Sequence, residues 1–287
     1  MPELPEVETI CSDLRKKIIN KRIIGIVIKK KNLIRNTILQ FKKRIINSKV
    51  TNISRRGKLI IISLSGDNYL LIHLKMTGQL IYQQKGSITA GGHSLPRPEQ
   101  GMPNKYSHII FTFSDKSQLF FNDMRQFGYM IIVNRDELHN ILDNSYGIEP
   151  GLSNFTLDNW LDVLSNRRTT IKALLLNQKI IAGIGNIYAD EICHNAGIRP
   201  QRLVNKLTVS EKKRLWQSSK NIIKRAIKKR GTTFSDYVDA DGHSGSFVDH
   251  LRVFGRQGEK CNKCKVGIII KTRVAGRGTH YCPNCQK

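Results

Sequence analysis

Two groups of residues in this chain have the types and spacing to do chemistry. The first is its opening, Met1-Pro2-Glu3-Leu4-Pro5-Glu6. A methionine followed by proline can be trimmed, and Pro2 would then carry a free secondary amine. Such an amine condenses with a sugar aldehyde carbon to give an iminium ion, an electron sink for eliminating neighbouring groups. Glu3 adjoins that amine and Glu6 lies one helical turn on, so two carboxyl groups stand within reach for proton transfer. Taken alone, the plainer reading is favoured, in which Pro2 follows the start and Pro5 opens a helix. The second group is Cys261-x2-Cys264 and, after 17 residues, Cys282-x2-Cys285. Two such knuckles present four thiolates to a tetrahedral ion, and the segment between them suits a β-hairpin. With all four positions thiolate, no place is left for bound water, so the expected zinc is single and structural.

Other positions carry weaker signals. Lys271, Arg273, Arg277 and His280 decorate the expected hairpin, as in a basic ribbon that grips phosphates. Gly183-Ile184-Gly185-Asn186 opens a helix whose N-terminus suits a phosphate, although a plain tight turn would look the same. Arg55, Arg56 and Lys58 flank Gly57 at the start of a strand, equally readable as a solvated edge. Arg125 and Phe127 lie two apart, on one side if the segment is extended, and could probe a duplex together, although an ordinary buried phenylalanine beside a salt-bridged arginine would look the same. Met76 reads by default as core, as do Cys11 and Cys193, and His93 reads as solvated without a role.

These residues need elements to position them. Val7, Ile10, Cys11, Leu14 and Ile18 recur at helical spacing and predict a leading helix that ends near Asn20. Short β-branched or aromatic runs predict strands over 23–30, 49–56, 58–64, 69–74, 108–113, 117–121 and 129–133, which suggests a two-sheet β-sandwich. The polar stretch between Gln83 and Lys105 reads as a mobile loop. A hinge falls at 134–154, and helices follow over 157–164, 171–176, 187–195 and 210–230. The last has Thr208 and Glu211 at capping-box spacing and Gly231 at its end. The fold class is thus α+β and multidomain: 1–133 a sandwich, 134–154 a linker, 155–245 helical, 246–287 a zinc finger.

Lys and Arg number 48 against 22 Asp and Glu, a net charge of +26 spread over 287 residues. That excess points to a polyanionic partner, and nucleic acid fits better than a membrane because no amphipathic helix shows an exposed apolar face. No apolar run approaches the roughly 18 residues of a membrane span, and no signal-peptide core opens the chain. The expected setting is the cytoplasm, where four clustered cysteines mean metal and not disulfides.

The Pro-Glu-Leu-Pro-Glu-Val-Glu opening, the Arg-Gly-Lys strand, the Gly-Ile-Gly-Asn-Ile-Tyr-Ala helix start and the paired knuckles resemble the bacterial formamidopyrimidine-DNA glycosylase family. The landmarks run in order from residue 2 to residue 285. The resemblance implies a β-sandwich, a helix-two-turns-helix domain and a zinc-finger hairpin in a monomer acting on double-stranded DNA with oxidised bases or abasic sites. It implies excision of oxidised purines through a Schiff base on Pro2, with β,δ-elimination. Glu3 is then similar to the general acid/base at the sugar ring oxygen, Glu6 to a supporting carboxylate, and Lys58 to the lysine at the flanking phosphate. Met76, Arg125 and Phe127 match the side chains that fill the gap left by a flipped nucleotide. His73, Asn186 and Arg277 fit phosphate contacts. Thr232, Thr233, Phe234, Ser235, Asp236 and Tyr237 resemble the loop closing over the everted base. Lys75 stands where the family usually has glycine, and Gln126 where it has a basic residue. An endonuclease VIII-like glycosylase for oxidised pyrimidines, or a non-enzymatic zinc-ribbon DNA-binding protein, would share part of this pattern.

Overall fold

The computed structural model describes residues 1–84, 87–92, 101–232 and 247–287. The chain forms two compact units. One comprises Met1–Leu142 and takes up the chain again at Arg230; the other comprises Asp143–Lys229 and Phe247–Lys287.

In the first unit, α1 (Leu4–Ile18) leads, with the expected stripe of Val7, Ile10, Cys11, Leu14 and Ile18 buried. The strands β1 (Ile23–Ile28), β2 (Val50–Arg56), β3 (Leu59–Leu64), β4 (Asn68–His73), β5 (Gly78–Gln84), β6 (Ser87–Gly92), β7 (Ser107–Phe113), β8 (Gln118–Asp123) and β9 (Tyr129–Val133) follow. They pair as a five-stranded sheet ordered β1-β7-β8-β5-β6 and a four-stranded sheet ordered β2-β3-β4-β9. Inward residues of both, among them Ile60, Ile62, Ile72, Phe111 and Phe121, share one core with the apolar stripe of α1. The two-sheet sandwich read from the alternating pattern is therefore present.

Several details differ from the sequence reading, among them strand β5 (Gly78–Gln84), which lies outside every predicted strand. A short helix, α2 (Ile38–Ile45), capped by Thr37, interrupts the strands and buries only Phe41 and Ile45. The polar stretch after Gln83 is not all loop, because β5 and β6 form an antiparallel hairpin. Its glycines are not turn signals: a Cβ on Gly91 would lie 2.6 Å from Ile10 Cγ1, and one on Gly92 2.3 Å from the Gly78 carbonyl oxygen. They let α1 and β5 approach, which a composition argument cannot see. A helix α3 (Arg135–Ser145) occupies part of the stretch read as a hinge. His93, read as solvated, lies outside the described residues.

In the second unit, α4 (Leu157–Leu164), α5 (Ile171–Leu176), α6 (Asn186–Ala196) and α7 (Val209–Lys228) precede a hairpin of β10 (Ile270–Val274) and β11 (Arg277–Tyr281). The Thr208–Glu211 capping box opens α7 as expected, and left-handed Arg230 and Gly231 follow its end. Trp160 and Tyr188 are buried here, and the indole of Trp160 donates to the Lys212 carbonyl oxygen at 2.9 Å. Among the described residues, no helix is long and apolar enough to cross a membrane.

Candidate active site and nucleic-acid interface

The opening residues are held down by the helix they start. Pro2, Glu3 and Glu6 are all buried, and Glu6 Oε2 accepts the Glu3 amide hydrogen at 2.9 Å. Glu6 Oε1 accepts from the Thr232 amide at 2.7 Å and from its hydroxyl at 3.0 Å. One carboxylate thus ties the first turn of α1 to the chain that follows α7. Gly231 makes this possible: its φ is +84°, and a Cβ there would lie 2.6 Å from Glu6 Oε1. Beside it Arg230 grips Asp13 with Nη2 at 2.9 and 2.7 Å from the two carboxylate oxygens.

Lys58, in the turn from β2 to β3 after left-handed Gly57, is buried and acts electrostatically on the Met1 amine, which adjoins Pro2. Burial is the largest influence on that amine and lowers its pKa; Glu3 and Glu6 pull it up again, and Lys58 lowers it further. The solvated-edge alternative fails for Lys58. Arg55 is anchored too, with Nε 2.8 Å from Glu8. Cys11 is core as expected, its thiol donating to the Ser54 carbonyl oxygen at 3.5 Å.

The two connections β4–β5 and β8–β9 carry the three gap-filling candidates. Met76 is 39% exposed and Phe127 52%, so the default reading of Met76 as core is overturned. Arg125 and Phe127 do not lie on an extended segment. Gln126 between them is left-handed, with φ +55°, and the Arg125 guanidinium lies 4.6 Å from the Phe127 ring centroid. Lys75 is left-handed as well, with φ +50°. Both departures from the family pattern therefore sit where the backbone favours glycine or asparagine.

His73 is partly buried, and its Nδ1 accepts the Lys75 amide hydrogen at 3.0 Å. Burial, then the charges of Lys75 and Lys58, push its pKa down to about 3. A neutral imidazole that accepts at Nδ1 carries its proton on Nε2, so this side chain offers one N–H donor. Sequence reasoning missed the cations around it. Arg35 and Lys75 lie 5.0 and 5.7 Å from the centroid of Tyr129, which itself stands 5.7 Å from the His73 ring.

In the second unit, Gly183 (φ +93°) and the N-cap Gly185 lead into Asn186, whose Nδ2 donates to the Gly278 carbonyl oxygen at 3.1 Å. Among the described residues, its buried Oδ1 has no hydrogen-bond partner. Arg277 is exposed beside the two-residue turn Ala275-Gly276, both with positive φ as a tight hairpin requires. Sequence reasoning missed the buried network beneath. Lys172 Nζ donates to Asp190 Oδ1 at 2.6 Å, to the Gly278 carbonyl at 2.9 Å and to Thr279 Oγ1 at 2.8 Å. Asp190 Oδ2 in turn accepts the His280 amide hydrogen at 2.8 Å. Helices α5 and α6 thereby fix the hairpin that presents Arg277. On sequence alone Lys172 is one polar residue in an apolar helix, with no sign of its partners.

The sulfurs of Cys261, Cys264, Cys282 and Cys285 all lie within 4.8 Å of one another. The Cys261–Cys285 and Cys264–Cys282 Sγ pairs are each 3.7 Å apart. A zinc tetrahedron with bonds of about 2.3 Å has edges of about 3.8 Å, so the donor set fits. Amides of Gly267 and Val266 lower the Cys264 pKa to about 6, whereas burial raises those of Cys282 and Cys285, and the neighbouring thiols of Cys282 and Cys261 raise that of Cys285 further. Four thiolates this close need a cation to balance them. His194 on α6, with Nε2 3.4 Å from Cys261 Sγ, supports the cluster. Cys193, by contrast, is wholly buried and stays core.

Of the candidate loop over the everted base, only Thr232 is described; Thr233, Phe234, Ser235, Asp236 and Tyr237 lie outside the described residues.

Comparison with known proteins covers the chain from end to end. The formamidopyrimidine-DNA glycosylase N-terminal domain matches residues 1–130, its H2TH domain 146–237, and the zinc finger found in FPG and IleRS 258–287. Formamidopyrimidine-DNA glycosylases of Pelotomaculum thermopropionicum and Carboxydothermus hydrogenoformans are each 40% identical, over all of this chain and 99% and 100% of theirs. A Lactococcus lactis Fpg in complex with abasic-site DNA superposes with a TM-score of 0.88 at 33% identity, covering 99% of both chains. A mutant of that protein bound to Fapy-dG DNA gives 0.88 at 33%, over the whole of both. The zinc-finger match and the four-sulfur geometry agree on one structural zinc ion. With three family domains in order and near-complete coverage by its relatives, this chain belongs to the formamidopyrimidine-DNA glycosylase family.

Proposed function

We propose that this DNA glycosylase and AP lyase of base excision repair excises oxidised purines, 8-oxoguanine and formamidopyrimidines, and then nicks the strand. The observation that carries the reading is the burial of Pro2, Glu3, Glu6 and Lys58, with Glu3, Glu6 and Lys58 all acting electrostatically on the adjoining Met1 amine. After loss of Met1, the Pro2 nitrogen attacks the deoxyribose C1′, and the damaged base leaves with the glycosidic electron pair. Glu3 protonates the ring oxygen as the C1′–O4′ bond opens, leaving an iminium between Pro2 and C1′. Loss of the C2′ proton expels the 3′ phosphate, and loss of the C4′ proton then expels the 5′ phosphate. Glu6 keeps Glu3 in register by holding its amide.

A duplex hides C1′, so the nucleotide is flipped out at a cost of a few kcal/mol. Met76, Arg125 and Phe127 fill the gap, and their exposure supports that role. His73 and Lys58 in the first unit, and Asn186 and Arg277 in the second, take phosphates; the neutral His73 donates from Nε2. Thr232–Tyr237 close over the everted base, rooted through Thr232 on Glu6. The divisions 1–133, 134–154, 155–245 and 246–287 serve respectively as sandwich, linker, helical DNA-binding part and zinc finger. The protein acts as a monomer in the cytoplasm.

The test compares duplexes carrying 8-oxoguanine opposite cytosine with duplexes carrying thymine glycol. Faster cutting of the first supports the reading, and the reverse order assigns the chain to pyrimidine lesions.

A further inference from the structure

We propose that Thr77 and Asp123 form a buried clamp that joins the two probe-bearing connections into one rigid piece, and so governs opening of the duplex without touching DNA. The topology brings the connections together. Both β4–β5 and β8–β9 cross from the four-stranded sheet to the five-stranded sheet or back, and their ends are paired twice, Gly78 opposite Asp123 and His73 opposite Tyr129. Met76 lies on one connection, Arg125 and Phe127 on the other.

Between them sits a buried carboxylate. Asp123 Oδ1 accepts the Thr77 hydroxyl hydrogen and, at 3.2 Å, the Arg125 amide hydrogen. Its Oδ2 accepts the Gly128 amide hydrogen at 2.7 Å. Thr77 Oγ1 accepts from the same Arg125 amide at 3.0 Å. One threonine hydroxyl therefore donates to the second connection and accepts from it, while the carboxylate spans that connection from Arg125 to Gly128. Gly128 seals the far end: a Cβ there would lie 2.7 Å from Phe121 Cζ and 3.0 Å from Asp123 Oδ2. From behind, His108 Nε2 lies 2.9 Å from the Asp123 carbonyl oxygen. Exposed wedges need such an anchor, because a side chain on a loose loop yields when pushed into a base stack.

The proposal rests on the gap-filling reading of Met76, Arg125 and Phe127, so its test separates the two. The full-length zinc-loaded protein is assayed on duplex 8-oxoguanine·cytosine and on a single-stranded oligonucleotide bearing an abasic site, which needs no duplex opening. Thr77→Val should lower kcat/KM on the duplex by about tenfold to a hundredfold and leave nicking of the single strand unchanged. Thr77→Ser should restore the duplex rate; Thr77→Ala takes the place of the valine variant should that one not fold. Wild-type duplex activity in Thr77→Val, or equal loss on both substrates, overturns the clamp. Phe127→Ala and Arg125→Ala run alongside. If they lose duplex activity while Thr77→Val does not, only the clamp fails; if they lose nothing, the gap-filling reading fails and takes the clamp with it.

Discussion

The neutral state of His73 can be tested over a defined pH window. Its pKa falls from 6.5 to about 3 in the folded chain, chiefly through burial and then through Lys75 and Lys58. The unfolded chain therefore binds the extra proton first on acidification. Stability is fully present above pH 6.5 and is lost as pH falls from there towards 3. By linkage the loss attributable to this one group reaches about 2 kcal/mol at pH 5. Removing the titration with His73→Gln should abolish that share, so wild type and variant should diverge by about 2 kcal/mol between pH 7 and pH 5. Two assays follow this. Hydrogen exchange of β4 amides reports the stability of the first unit directly; tryptophan fluorescence does not, since Trp160 and Trp216 both lie in the second unit. NMR titration of the imidazole carbons, assigned with His73→Gln, reports the proton itself. No midpoint for His73 should appear above pH 4. A midpoint near 6.5, or parallel stability curves, would refute the geometry from which the Nε2 donor was deduced.

Gly231→Ala should destabilise the first unit by roughly 1–3 kcal/mol, because a Cβ at positive φ also meets Glu6 Oε1 at 2.6 Å; thermal melting with an unchanged Tm would contradict this. Lys172→Met leaves Asp190 buried without its cation and should cost the second unit about 3–5 kcal/mol, read by urea unfolding followed through Trp160. Cys264→Ser, or zinc removal by a chelator, should abolish DNA affinity and release the hairpin while β3 and β4 keep their amide protection; full affinity without zinc would argue against the hairpin's role.

How much of this was legible in the sequence depends on range. The α1 stripe, the alternating strands, the capping box of α7 and the cysteine knuckles are local patterns with a fixed period or spacing, and each appears where its residues predict. The β5–β6 hairpin was not legible, because the glycines at 91 and 92 are there to admit Ile10 and the Gly78 carbonyl, not to turn the chain. Met76 carries an apolar side chain that the sequence alone assigns to core; only the crossing of two connections at one end of the sandwich puts it outside. Thr77 with Asp123, and Lys172 with Asp190 and Thr279, join residues 18 to 107 positions apart, and no periodicity announces such pairs. The left-handed backbone at Lys75 and Gln126 was equally hidden, because neither residue type signals it.

The central claim is that the nitrogen of Pro2 becomes bonded to deoxyribose. Its most direct test is borohydride reduction of the enzyme with abasic-site DNA, followed by nuclease and protease digestion and mass mapping of the adduct. The account predicts a peptide that starts at Pro2, lacks Met1 and carries the reduced sugar remnant on its terminal nitrogen. An adduct on a lysine side chain, or fully active protein that still begins with Met1, would contradict it.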